Sequence, residues 1–129
     1  MFLTINTDSP EAAISLQSGT KQVAGHTWHA SRELSDSLLK EIENLVKRNQ
    51  LEFAGLKGIM VFKGPGSFTG LRIGITVANS LSYALEIPIV GETGDAWIEN
   101  GARRLDNNED DKVVVPEYGA EAHITQPKK

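Results

Sequence analysis

Apolar positions along the chain first alternate and later recur every three to four residues, and the change of period separates sheet from helix. Residues 2–7 read as a strand, Asp8-Ser9-Pro10 as a turn and residues 12–17 as a second strand. Ser18-Gly19-Thr20 has hairpin-turn composition, and a third strand over 21–29 completes an antiparallel meander. Over residues 31–48 Leu34, Leu38, Ile42 and Leu45 fall at helical spacing, Leu39 and Val46 widen the stripe, and Ser31 is placed as an N-cap. Residues 56–62 form a short apolar run that reads as a buried strand. A glycine-rich loop over 63–70 leads into a second helix over 69–85, which must stop before Ile87 because Pro88 disfavours helical geometry in the residue ahead of it. Residues 87–91 are one more strand and residues 94–104 a third, weaker helix. An acidic stretch, 106–111, reads as an exposed loop, 112–115 as a final strand, and the tail to residue 129 has little periodicity.

The order β-β-β-α-β-α-β-α implies an α/β fold: a mixed sheet with antiparallel N-terminal strands, later strands arriving through helical crossovers, and two or three helices. The 129 residues suit one domain. Residues 1–104 are expected to form it, with 105–129 an acidic linker and tail.

Charge and composition narrow the function. A formal net charge of −4 disfavours autonomous binding to a phosphate backbone. The absence of cysteine excludes disulfides, thiolate chemistry and cysteine zinc sites. The first residues lack the basic and apolar regions of a signal peptide, and no apolar stretch approaches the roughly 20 residues that span a bilayer, so a cytoplasmic location is expected.

The glycine loop, Gly64-Pro65-Gly66-Ser67-Phe68-Thr69-Gly70, sits between strand and helix, where backbone amides can face an anion. No Gly-Lys-Ser/Thr ending follows, and Thr69 stands where a dinucleotide fingerprint needs glycine. On spacing, a tight strand-to-helix turn is favoured over phosphate binding. Ser67 does not sit in a Gly-x-Ser-x-Gly elbow either. Within the second helix Gly70, Gly74, Ala78 and Ser82 recur every four residues and share a face, flanked by Leu71, Ile75 and Tyr83. Such a face serves close packing inside the chain, contact with a partner helix, or both. His26 and His29, three apart on a strand, point to opposite faces and make no metal pair. Asp106, Glu109, Asp110 and Asp111 could meet a cation, although acidic loops are usually solvated. No metal ligand set or cofactor site follows.

The run from Gly64 through Leu71, Arg72 and Ile73 to Gly74 resembles the signature of the TsaB, or YeaZ-type glycoprotease-like, family. Ser35-Asp36-Ser37-Leu38-Leu39 before it, Leu85-Glu86-Ile87-Pro88-Ile89-Val90-Gly91 after it, and more loosely the tail from Pro116 follow the family order. The resemblance implies one lobe of the actin/hexokinase-like (ribonuclease H-like) fold, with most of a second lobe missing. It implies a non-catalytic subunit that binds and activates TsaD, the enzyme that transfers threonylcarbamoyl to tRNA with metal and nucleotide help. TsaE would join through the complex, and tRNA would be met only indirectly. The partner surface implied lies on the two helices, at Leu34, Leu38, Ile42, Leu45, Leu71, Gly74, Ile75, Ala78, Ser82 and Tyr83; the motif loop comprises Gly64 to Gly70 and Arg72. Asn6 stands where the family usually has an aspartate that organises metal and phosphate. Rival readings are a nucleotide-binding enzyme or glycoprotease-like peptidase of the same fold, and a self-associating module that forms a homodimer in isolation.

Overall fold

In the computed structural model, residues 1–30, 33–66 and 68–117 are described. The predicted N-cap Ser31, the motif residue Ser67, the side chain of Phe68 and the tail from residue 118 lie outside the described residues. Strands β1 (Phe2–Asn6), β2 (Glu11–Ser18) and β3 (Lys21–His29) form the antiparallel meander, with Ile5 opposite Ile14 and Leu3 opposite Leu16. Strand β4 (Gly58–Phe62) pairs parallel to β1, and β5 (Ile89–Glu92) parallel to β4, so the sheet order is β3-β2-β1-β4-β5. Helices α1 (Leu34–Arg48), α2 (Phe68–Leu85) and α3 (Trp97–Asp106) supply the connections and the end. This is the α/β order the sequence predicts.

The period-2 alternation of the strands divides the core between two faces. Leu3, Ile5, Ile14, Leu16, Ile59, Val61 and Ile89 pack with α1 and α2. The intervening Met60 and Val90 point the other way and pack with Ala102 and Leu105 of α3. Each strand residue therefore has its helix chosen by parity. Next to Trp97 and Ile98 at the start of α3 the second face turns polar. Thr4 and Ser15 are buried there with their hydroxyls 2.5 Å apart, and Gln17 Nε2 donates to Ser15 Oγ at 2.9 Å.

Three expectations need correction. Residues 112–115 do not form a strand; they belong to a strap that follows α3, with Lys112 at a φ of +67° and a backbone bond from Asp111 N–H to the carbonyl of Ile89 just before it. The N–H groups on the outer edge of β5 are already satisfied by carboxylates: Ile89 donates to Asp110 Oδ1 and Gly91 to Asp111 Oδ2. The acidic stretch is likewise no loose linker, because these same bonds bind it to the lobe. The boundary set at residue 104 falls inside α3, which continues to Asp106.

Candidate functional site

Strand β4 delivers Lys63, Gly64, Pro65 and Gly66 to the start of α2, and this loop meets the β1–β2 turn. The φ of +122° at Gly64 is open only to glycine. A methyl group at Gly66 would lie 2.6 Å from Asp8 Cβ, and one at Gly74 would collide with the side chain of Thr7. Thr7, 1% exposed, donates from Oγ1 to the carbonyl of Gly70 at 2.7 Å. The motif glycines thus let a loop and a helix press onto the end of β1. Asn6 Oδ1, on the other face of that strand, accepts the backbone N–H of Asp8 at 3.0 Å and shapes the turn.

On the two helices the faces divide sharply. Leu34, Leu38, Ile42 and Leu45 of α1 are buried in the chain's own core, and so are Leu71, Gly74, Ile75, Ala78 and Ser82 of α2. These side chains are not open to a partner. Of the residues expected at an interface, Tyr83 alone is at the surface, 88% exposed. The small-residue face lets α2 approach β1, and Ser82 Oγ donates to the carbonyl of Ile87 at 2.6 Å to close the helix end.

The outward sides are different. Thr69, Arg72, Thr76, Ser80 and Tyr83 are exposed and line one ridge of α2. Between this ridge and α1 runs a groove of about 410 Å³, lined by Ser35, Thr69, Arg72, Ile73, Thr76 and Val77. Ile73 and Val77 are half-buried in it. His26 of β3 ties the sheet to α1: its Nε2 lies 3.0 Å from Glu41 and its ring stacks on Trp28, whose indole N–H donates to Ser37. His29, on the opposite strand face, is exposed. Among the described residues no group of three or more His, Asp or Glu is placed to hold a metal ion.

Sequence reasoning missed the clamp on the strap. Asn79 of α2 takes both backbone groups of Val114: its Nδ2 donates to the carbonyl at 3.0 Å and its Oδ1 accepts the N–H at 2.9 Å. Arg104 donates to Glu109 at 2.7 Å, to Glu92 at 2.8 Å, to the carbonyl of Gly91 at 3.2 Å, and to Asp111. These carboxylates raise the guanidinium's pKa. Burial pushes the Asp111 carboxyl upward, but hydrogen bonds from Arg104 and Gly91 and the positive charges of Arg104 and Lys63 outweigh it and hold the group below the usual carboxylate range. The available signal was an asparagine inside a helix of small and apolar residues, and an arginine a few positions before an acidic run.

A family model described as TsaD, tRNA N6-adenosine threonylcarbamoyltransferase, matches residues 28–124. The chain is 30% identical over 111 residues to the tRNA threonylcarbamoyladenosine biosynthesis protein TsaB of Escherichia coli (strain K12), covering 81% of this chain and 47% of that one. It is 32% identical over 105 residues to the protein of the same description from Bacillus subtilis (strain 168), covering 81% and 46%. A tRNA N6-adenosine threonylcarbamoyltransferase of Geotalea daltonii is 37% identical over 62 residues, 48% of this chain and 18% of its own length. The solved structure of YeaZ from Pseudomonas aeruginosa matches with a TM-score of 0.66 at 25% identity, over 71% of this chain and 43% of that one. The chain spans about half the length of the curated TsaB relatives named above.

Proposed function

The chain belongs to the family of the tRNA N6-adenosine threonylcarbamoyltransferase model and, within it, to the TsaB (YeaZ-type) group, and from that premise we propose that it is a scaffold subunit, not itself an enzyme, that binds and activates a TsaD-type transferase in threonylcarbamoyl modification of adenosine in tRNA. Its fold is a single actin-like lobe. The observation that carries the proposal is the solvent-facing groove between α1 and α2. The core uses the inner faces of both helices, which leaves the ridge of α2 and the half-buried Ile73 and Val77 beside it as an apolar-floored seat. A groove between two packed helices accepts the ridge of a third by the ordinary geometry of helix packing. A transferase relative is itself similar in sequence to this chain, so it offers a comparable lobe, and two such lobes can meet helix pair to helix pair about a pseudo-two-fold axis.

Among the described residues no group of three or more His, Asp or Glu is placed to hold a metal ion, which supports this reading. Asn6 is uncharged and its amide oxygen is engaged by Asp8. The proposed role therefore has no chemical step in this chain. The net charge of −4 favours meeting tRNA through the complex rather than directly, and TsaE would join by the same route. No helix among the described residues is long and apolar enough to cross a membrane.

Calorimetric titration of the chain with the TsaD-type transferase of the same organism tests this directly. Binding is expected, and so is a rise in threonylcarbamoyl transfer over the transferase alone. Thr76→Trp, which fills the groove from an exposed position, should weaken binding about tenfold or more, equal to roughly 1.4 kcal/mol. If the parent chain neither binds the transferase nor raises its turnover, the proposal is wrong. Turnover by the chain alone that is lost on mutating one of its residues would favour the enzyme reading instead.

A further inference from the structure

Helix α2 has two flanks, and only one of them faces α1. Successive residues of a helix turn by about 100°, so Asn79 lies on the opposite side of the exposed ridge from Ile73 and Val77. Asn79 holds Val114, and the strap continues in both directions along the helix. Near the C-terminal end of α2, Asp110 and Lys112 line a depression of about 580 Å³ with Ser82, Tyr83 and Glu86. Near its N-terminal end, the N–H of Glu117 donates to the carbonyl of Lys63 at 2.7 Å. The strap therefore runs antiparallel to α2, and the ridge stands between the groove on the α1 side and the strap on the other.

Within the strap the side chains alternate. Val114 points inward and is 4% exposed, while Val113 and Val115 point outward at 66% and 65%. With Tyr83 of the ridge, these make three of the five large apolar side chains exposed among the described residues, on the ridge of α2 or the strap beside it. Scattered exposed apolar residues need no explanation, but several brought to one side of a helix suggest contact. The clamp formed by Asn79, Arg104, Asp110 and Asp111 holds this segment in place before any partner arrives, which lowers the ordering cost of binding.

We propose that the docking surface extends across the α2 ridge onto the strap, where Val113, Val115 and Tyr83 form a second apolar contact strip for the same transferase-type subunit. The proposal rests on the helix-pair reading above and widens it; continuity along a single ridge is what selects that partner rather than another. A partner seated on the ridge would cover the groove on one side and reach the strap on the other.

The test titrates the purified transferase of the same organism with Val113→Lys, Val115→Lys, their double variant and Tyr83→Glu, beside Thr76→Trp. All of these positions are exposed, so each variant should unfold at the parent's midpoint; Val113→Thr and Val115→Thr serve as milder replacements if a lysine variant does not. The double lysine variant is expected to bind about tenfold more weakly, and Tyr83→Glu several-fold more weakly, in the range of substitutions inside an interface. If the strap and Tyr83 variants bind like the parent while Thr76→Trp loses binding, the strap lies outside the interface and this inference falls alone. If no variant alters binding, the helix-pair reading falls with it. Sedimentation of the chain by itself covers the remaining occupant: strap variants that abolish self-association but keep transferase binding would make the strip a contact between copies and overturn the assignment.

Discussion

On one side of α2, Leu71, Ile75, Ala78 and Ser82 are each 6% exposed or less, whereas about half a turn away Thr69, Arg72, Thr76, Ser80 and Tyr83 face solvent. The two sides use different chemistry. The inner one is apolar or small because it has to approach β1 and β4 closely. The outer one mixes hydroxyls, an arginine and a tyrosine over an apolar groove floor. A repeat of small residues, which in isolation suits either a partner helix or a strand of the same chain, here serves the strand. The surface left exposed is the one whose pattern is less regular.

Substitutions on either side can break or sharpen this contrast. The largest effect is expected at the inner face of α1, where Leu38 is 0% exposed: Leu38→Ala should cost about 2–5 kcal/mol, the range for removing a buried leucine. Urea unfolding measures it, and a midpoint equal to the parent's would show that the stripe is not core. Next comes Gly74→Ala. The added methyl meets the side chain of Thr7 at the end of β1, and overpacking of this kind costs about 1–3 kcal/mol. A neutral result would mean that α2 can lift from the sheet without penalty.

The clamp sits on the boundary between the two sides. Asn79→Ala removes both hydrogen bonds to Val114 and should cost about 1–2 kcal/mol. Amide exchange at Val114 should accelerate more than at Ile59, whose N–H donates to the carbonyl of Pro88; equal acceleration would argue for global loosening instead. Asp111 adds a pH dependence. Because its folded-state carboxyl is held below the usual value of 3.8, the folded chain binds fewer protons than the unfolded chain around and below that pH. The stabilisation is fully present above the usual carboxylate range and is lost as pH falls through the depressed value. Asp111→Asn should flatten the acid limb of the stability curve relative to the parent, as read by thermal melts at stepped pH, and an unchanged limb would remove Asp111 from the account. The smallest effect on folding is expected on the outer ridge: Thr76→Lys should change stability by less than about 0.5 kcal/mol, and a larger loss would show that the ridge is less free than its exposure indicates.

Much of this was legible in the residues. The alternation of β1 to β3, the helical stripe from Leu34 to Leu45 and the Pro88 stop reproduce the order of elements, because secondary structure follows from local periodicity. The motif from Gly64 to Gly74 likewise pointed to one family, since close loop–helix approach restricts those positions to small residues. Tertiary structure alone decided which side of each helix was occupied. An apolar stripe states that a face is buried, not against what, and the answer here is the chain's own sheet. It also decided the fate of the acidic run. Read as charge, residues 109–111 belong in water; in the fold, Asp110 and Asp111 cap the free N–H groups of β5 and meet Arg104, because a sheet edge has donors that only its neighbours in space can satisfy.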